Sequence, residues 1–432
     1  MKKRSIFIIV WTLVLCAAML LSACGQAATE PETAKEPETE TEAAETEFAA
    51  DAVTGDGTDA EEAAGEPSYV IDYDALFYSR DPDEVVITVD GREVSWNEYF
   101  YWIRYYAEYI QYYIDMYKYY GMDYKWTDPA DEEGTMTLAD SVKQDAGNHM
   151  GMICCIENYA EENGIELPEN IVSQIEADLQ AAITEYCGED ATEEDFDRLL
   201  RESDYLSLDI YNRYNNANYL YQQIFSHVFG TNGEKVSDEE ALKYLEDNGY
   251  MRANHILFAT VDLSTGEALD EAAVAEKLAL AEKTAAELKK IKKTDKLLTK
   301  FAELKTKYDE DTGKVAYPDG YVFTTGKMVT EFEDGYNALS DYGVSDPILS
   351  SYGYHVIIRL PNDPDAVIEY TDEGTAMTAR MAYANSAYSV LMQEKMDSAE
   401  IVFADSIKDL SLTDFLVEAP AAETETAAEP VG

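Results

Sequence analysis

Positive charge is what this chain has least of: 32 lysines and arginines stand against 87 aspartates and glutamates, a formal net charge of -55 at pH 7. Such a chain repels nucleic acid and anionic lipid headgroups, so no nucleic-acid partner is expected. Cysteine is nearly as scarce. Of five, Cys16 and Cys24 lie near the start and only Cys154, Cys155 and Cys187 remain in the body. Adjacent cysteines rarely pair with each other, so one disulfide at most is expected, and buried thiols are the simpler reading. No phosphate-binding glycine loop, zinc-spaced His/Cys set or nucleophile elbow occurs, so no cofactor and no metal is expected. Asp309 and Asp311 before Gly313 hint at a calcium loop, but the ligand spacing is incomplete and a solvated turn accounts for them better.

The chain does have a charged start, Lys2-Lys3-Arg4, followed by an apolar run over residues 6–21 that is too short for a good membrane span and reads as a signal peptide. Its end, Leu21-Ser22-Ala23-Cys24, resembles a bacterial lipobox. That resemblance implies cleavage before Cys24, a diacylglyceryl anchor on its thiol, and a chain held in a lipid bilayer at the extracytoplasmic face of the cell membrane. Residues 24–67 are mostly Ala, Thr, Glu, Asp, Pro and Gly, and bury too little apolar surface to offset the entropy of ordering them. They are read as an acidic disordered linker, and residues 418–432 as a tail of the same kind.

The folded part is expected to open with a hairpin, Val85-Val86-Ile87-Thr88-Val89 turning at Asp90-Gly91 into Arg92-Glu93-Val94. Ser95-Trp96-Asn97-Glu98 has the spacing of a capping box and predicts a helix start. Along that helix Tyr99, Trp102, Tyr106, Tyr109, Tyr113, Met116 and Tyr120 recur at steps of three and four, while Arg104, Glu108, Gln111, Asp115 and Lys118 fill the other face. The stripe predicts a core face. Tyr101, Tyr105, Tyr112 and Tyr119 exceed it and are read as exposed contacts for unfolded chains. Further helices are expected over residues 135–163, 168–185, 193–200, 203–229 and 237–246, making residues 68–250 a helical domain.

From residue 251 the pattern changes to β-α-α-β-α-β with short loops, which suits a compact α+β domain over residues 251–361. Its first strand holds His255 and its last opens with His355, two of only four histidines in the chain. A helix over residues 372–399 and a strand at Glu400-Ile401-Val402-Phe403 follow, and residues 362–417 are expected to pack on the helical domain. Four stretches in order and spacing, Asn254-His255-Ile256-Leu257, Phe301-Ala302-Glu303-Leu304, Phe323-Thr324-Thr325-Gly326-Lys327-Met328-Val329 leading to Phe332, and Gly353-Tyr354-His355-Val356-Ile357, resemble the parvulin-type peptidyl-prolyl isomerases.

The resemblance implies a small sheet with surrounding helices, paired central histidines His255 and His355, Asp311 where the family has Cys or Asp, and Ser350 as a nearby hydroxyl. Met328 and Phe332 would line the proline pocket, with Phe323 and Leu257 as further substrate-binding residues. Tyr317-Pro318-Asp319-Gly320-Tyr321 departs from the family's Gly-Gly-Asp-Leu-Gly-like run, with less φ freedom and a bulky Tyr321 where backbone usually passes closely. The whole arrangement, lipobox included, resembles the PrsA-type foldase lipoproteins, and residues 85–113 resemble the chaperone part of related periplasmic chaperones. The expectation is an α+β protein, a parvulin-like domain joined to a helical chaperone-like domain built from both flanks, which isomerises X-Pro bonds in newly secreted polypeptides, with a homodimer as one permitted assembly. The alternative is a chaperone whose parvulin domain binds clients without turnover. A solute-binding lipoprotein is disfavoured, since the repeated parallel β-α pattern is missing.

Overall fold

Asp90 and Gly91 both take positive φ (48° and 83°), as a tight two-residue hairpin turn requires, and join the antiparallel strands Val85–Val89 and Arg92–Ser95. The computed structural model describes residues 69–371 and 374–419. The signal peptide, Cys24, the linker and nearly all of the tail therefore lie outside the described residues. The chain forms two compact units, one comprising residues up to Leu220 together with those from Lys395, the other Tyr221–Glu394.

In the first unit the strand Ile401–Phe403 adds antiparallel to the outer edge of Val85–Val89, giving a three-stranded sheet. Tyr69–Ile71 pairs with Leu416–Glu418, so both ends of the described chain are tied down in this unit. The capping box is present: Ser95 and Glu98 each accept from the other's backbone N–H at the start of the helix Trp96–Tyr119. That helix packs on Leu138–Glu162, burying Trp96, Tyr99, Phe100, Trp102 and Ile103 against Val142, Met150 and Ile153. Gly147 admits the returning strand, since a Cβ there would lie 2.6 Å from Phe403 Cζ, and Gly151 admits the end of the helix before it, where a Cβ would lie 2.5 Å from Met396 Cε. Cys154 and Cys155 are buried free thiols and Cys187 is a half-buried one.

Three expectations are corrected in this unit. The core face of Trp96–Tyr119 is confined largely to its first half, and the stripe members Tyr109 and Tyr120 are exposed. Arg104, expected on the solvent face, is 9% exposed, held by Glu108, Asp204 and the Ser203 carbonyl; a buried guanidinium survives because its donors are matched. Of the four surplus tyrosines only Tyr112 and Tyr119 are exposed, at 64% and 86%. Tyr101 and Tyr105 pack against the core, the Tyr101 ring lying 5.7 Å from that of Tyr214.

The divide between the units falls at 220/221 and 394/395, where the sequence pattern puts it at 250/251 and 361/362. The reason is aromatic packing. Tyr388 on the helix Ala379–Ser398 packs tilted against Tyr221 and edge-on against Phe225 and donates to the Tyr221 carbonyl at 2.6 Å, which draws most of that helix into the second unit. The same helix starts at Ala379 and not near residue 372, because Val367–Tyr370 and Ala376–Thr378 form a hairpin first.

The second unit is built on a four-stranded antiparallel sheet in the order Tyr321–Phe323, Met251–Ala259, Gly353–Leu360, Ile348–Leu349. Strand alternation divides the residues cleanly. Ile256, Phe258, Val356 and Ile358 meet Leu297, Phe301 and Leu304 of the helix Thr294–Tyr308 on one face. Ala253 and Ile357 meet Phe323, Phe332 and Tyr336 on the other, which also carries His255 and His355. Among the described residues no helix is long and apolar enough to cross a membrane.

Candidate active site

Antiparallel pairing sets Leu257 opposite His355 and Ile357 opposite His255, so the two histidines are diagonal neighbours on one face. Their rings stack with centroids 5.1 Å apart and 11° between planes, and their Nδ1 atoms lie 2.9 Å apart. His255 Nε2 is 3.1 Å from Asp311 Oδ2, and His355 Nε2 is 2.7 Å from Ser350 Oγ. The four residues expected at the centre are thus brought together in one line, Ser350, His355, His255, Asp311.

Asp311 only accepts, so His255 donates to it from Nε2. Ser350 in turn accepts the Tyr352 N–H at 3.1 Å. Burial first, then the neighbouring His255, push the His355 imidazole down to about 3, so it is neutral. Burial works against charge on Asp311, yet hydrogen bonds from His255 and Tyr321 hold its carboxyl well below the usual carboxylate range. Tyr321 donates to Asp311 Oδ2 at 2.6 Å, and burial together with that bond pushes its hydroxyl well above the ordinary value.

The acidic turn is not a solvated one. Asp309 is buried, and its Oδ1 accepts from the N–H groups of Leu257 (2.9 Å) and Asp311 (3.2 Å). Glu310 accepts from Ala259 N–H at 2.8 Å. Tyr321–Phe323 pairs only with residues 251–253, so these two carboxylates satisfy the strand edge beyond it and anchor the turn that presents Asp311. Two glycines are compelled here. At Gly320 (φ 100°) a Cβ would sit 2.4 Å from the Ala253 carbonyl oxygen, and at Gly353 (φ 144°) 2.3 Å from that of Phe258. The close backbone approach expected of the family's glycine run is met by Gly320 alone.

The pair opens into a cavity of about 460 Å³ lined by Leu257, Met328, Val329 and Phe332 with Tyr321 and Lys327. Met328, Phe332 and Leu257, expected to bind substrate, all line this cavity, and the Phe332 ring stands edge-on 5.3 Å from His255. Phe323 is a correction: it is buried behind Phe332 and Tyr336 and does not line the cavity, because those two rings pack over it on the face it shares with Tyr321. Ser350 also lies behind the wall, in contact with His355 only from the rear. Tyr321 is the residue that sequence reasoning missed. Pairing of Tyr321 with Ala253 puts it on the face of His255, but that register joins segments some seventy residues apart and is not marked in the sequence. No cluster of three or more His, Cys, Asp or Glu able to hold a metal occurs among the described residues.

Residues 255–360 match the family described as Rotamase, a PPIC-type PPIASE domain. The chain is 50% identical over 58 residues to Foldase protein PrsA 1 of Bacillus cereus, covering 13% of this chain and 20% of that protein. It is 35% identical over 128 residues to Foldase protein PrsA of a Geobacillus species, covering 28% and 37%, and 28% identical over 185 residues to that of Geobacillus kaustophilus, covering 42% and 56%. The matches thus span from a fifth to just over half the length of these curated relatives. A crystal structure of PrsA from Bacillus subtilis aligns over 65% of this chain and 96% of its own, at 21% identity and a TM-score of 0.24. Residues 255–360 therefore belong with the PPIC-type peptidyl-prolyl cis-trans isomerase domains, and parts of the chain are similar to PrsA foldases.

Proposed function

We propose that this chain is an extracytoplasmic foldase, anchored in the membrane by lipid on Cys24, that isomerises X-Pro bonds in secreted, incompletely folded polypeptides. The observation that carries the reading is the hydrogen-bonded line from Ser350 through His355 and His255 to Asp311, beside a cavity lined by Leu257, Met328 and Phe332. An X-Pro bond meets a rotational barrier of roughly 18 to 20 kcal/mol. No covalent step is needed to lower it.

The planar amide owes its stiffness to a charge-separated resonance form that water stabilises and that vanishes as the bond twists. An apolar pocket that grips the proline ring removes that water and so raises the planar states relative to the twisted one. His355, held neutral, places no full charge beside the ring. His255, with its Nε2–H held by Asp311, keeps a fixed polar face toward the cavity. The exposed tyrosines of the first unit, Tyr112 and Tyr119 among them, offer a surface for unfolded segments.

The test is catalysed exchange between cis and trans forms of a Pro-containing peptide, followed by NMR with the full chain. Wild type should accelerate exchange, and His255→Gln, Asp311→Asn and His355→Gln should each slow it while the far-ultraviolet spectrum stays native. A folded wild-type chain with no rate above the uncatalysed one leaves a binding-only chaperone and removes the enzyme reading.

A further inference from the structure

We propose that Tyr321 is a positioning residue, whose hydroxyl holds the Asp311 carboxylate in the orientation that receives the His255 Nε2–H. This rests on the isomerase reading and deepens it. Asp311 sits on a turn, where a carboxylate pivots freely unless donors pin both oxygens. Its Oδ1 takes the Gly313 N–H at 3.0 Å; its Oδ2 takes His255 at 3.1 Å and, closer, the Tyr321 hydroxyl at 2.6 Å.

The phenol itself is fixed by what surrounds it. Its ring packs on Tyr317 at 4.9 Å, and Tyr317 on Tyr370 at 5.6 Å. Tyr370 is held by donating to the Ala316 carbonyl at 2.8 Å, so the hairpin at Val367–Tyr370 buttresses the loop. Gly313 leaves the hydroxyl its space, because a Cβ there would lie 2.0 Å from the Tyr321 oxygen. The stretch that departs from the glycine run of the parvulin family thus supplies a donor in place of bare backbone.

The other charged or titratable groups around Asp311 are His255, His355, Asp309 in its own turn, Lys305 of the helix Thr294–Tyr308, Lys314 just beyond the turn, Asp319, and Tyr317, Lys327 and Tyr352 of the cavity lining. Tyr321→Phe leaves all of them in place and removes one donor to the ionised carboxylate. The carboxyl should then protonate at higher pH, the direction opposite to the depression that the hydroxyl contributes. For peptide isomerisation kcat should fall about tenfold with KM within about twofold, and the acid limb of the kcat profile should move to higher pH.

Gly313→Ala displaces the same hydroxyl by steric contact, so it should reproduce both effects. The double variant should be no worse than either single one, because each removes one and the same interaction. A carbon-13 NMR titration of the Asp311 carboxyl reads the role without turnover, and its midpoint should rise in Tyr321→Phe. An unchanged midpoint and acid limb in that variant, or additive losses in the double variant, would overturn the proposal. A wild-type chain lacking turnover would overturn the isomerase reading instead, and the carboxyl midpoint would still decide the role of Tyr321.

Discussion

Acid should destabilise the helical unit through one buried imidazole, His149. It lies on the Trp102 indole with ring centroids 3.4 Å apart, and its Nδ1 is 3.2 Å from the Tyr106 hydroxyl. Burial pushes it from its ordinary value down to about 3. Because its folded pKa is depressed, the unfolded chain binds a proton that the folded one refuses whenever the pH lies between about 3 and about 6.5. The stability it permits is therefore complete above about 6.5 and is lost as the pH falls through that window. From pH 7 to pH 5 the loss is about 2 kcal/mol, taking 1.36 kcal/mol for each pH unit below 6.5. Glu108 and Asp145, both raised by burial, act in the opposite sense, so the quantity to compare is the slope in wild type against that in His149→Gln. Tryptophan fluorescence is a selective probe, since Trp96, Trp102 and Trp126 all lie in the helical unit. In a chain lacking residues 1–24, which also removes Trp11, urea unfolding at the two pH values should show the loss in wild type and little of it in the variant. Equal pH dependence in the two proteins would refute the assignment.

Tyr112→Ser and Tyr119→Ser should change stability by no more than about 0.5 kcal/mol in thermal unfolding, whereas Tyr101→Ser, on the core side, should cost about 2 kcal/mol or more. The double change at Tyr112 and Tyr119 should also weaken suppression of client aggregation while peptide isomerisation is untouched. Met328→Ala should raise KM for an X-Pro peptide with the domain still folded; unchanged kinetics would place the proline elsewhere. Gly320→Ala should cost roughly 1 to 3 kcal/mol through strain at positive φ and contact with the Ala253 carbonyl, read as a lower midpoint in urea. Cys24→Ala should abolish labelling by a fatty-acid analogue, and retained labelling would sink the lipid-anchor reading.

Local chemistry made much of this chain legible from its sequence. The Asp90-Gly91 turn, the capping box at Ser95, the alternation of Ala253, His255 and Leu257, and the apolar steps of the helices are each written within a few residues, where backbone geometry and period decide the outcome. The meeting of His255, Asp311 and His355 was legible too, but only through resemblance, since strands a hundred residues apart carry no mark of their register. What tertiary structure alone decided are the non-local pairings. The strand Ile401–Phe403 completes a sheet begun three hundred residues earlier, and Arg104 leaves its polar stripe because Asp204 and the Ser203 carbonyl wait in the core. Phe323 turns inward while Tyr321, two residues away, reaches Asp311. Their side chains share one face of the strand, and which of them meets the core and which the cavity depends on where Phe332, Tyr336 and Gly313 come to lie, a matter of packing between distant segments that no local period encodes.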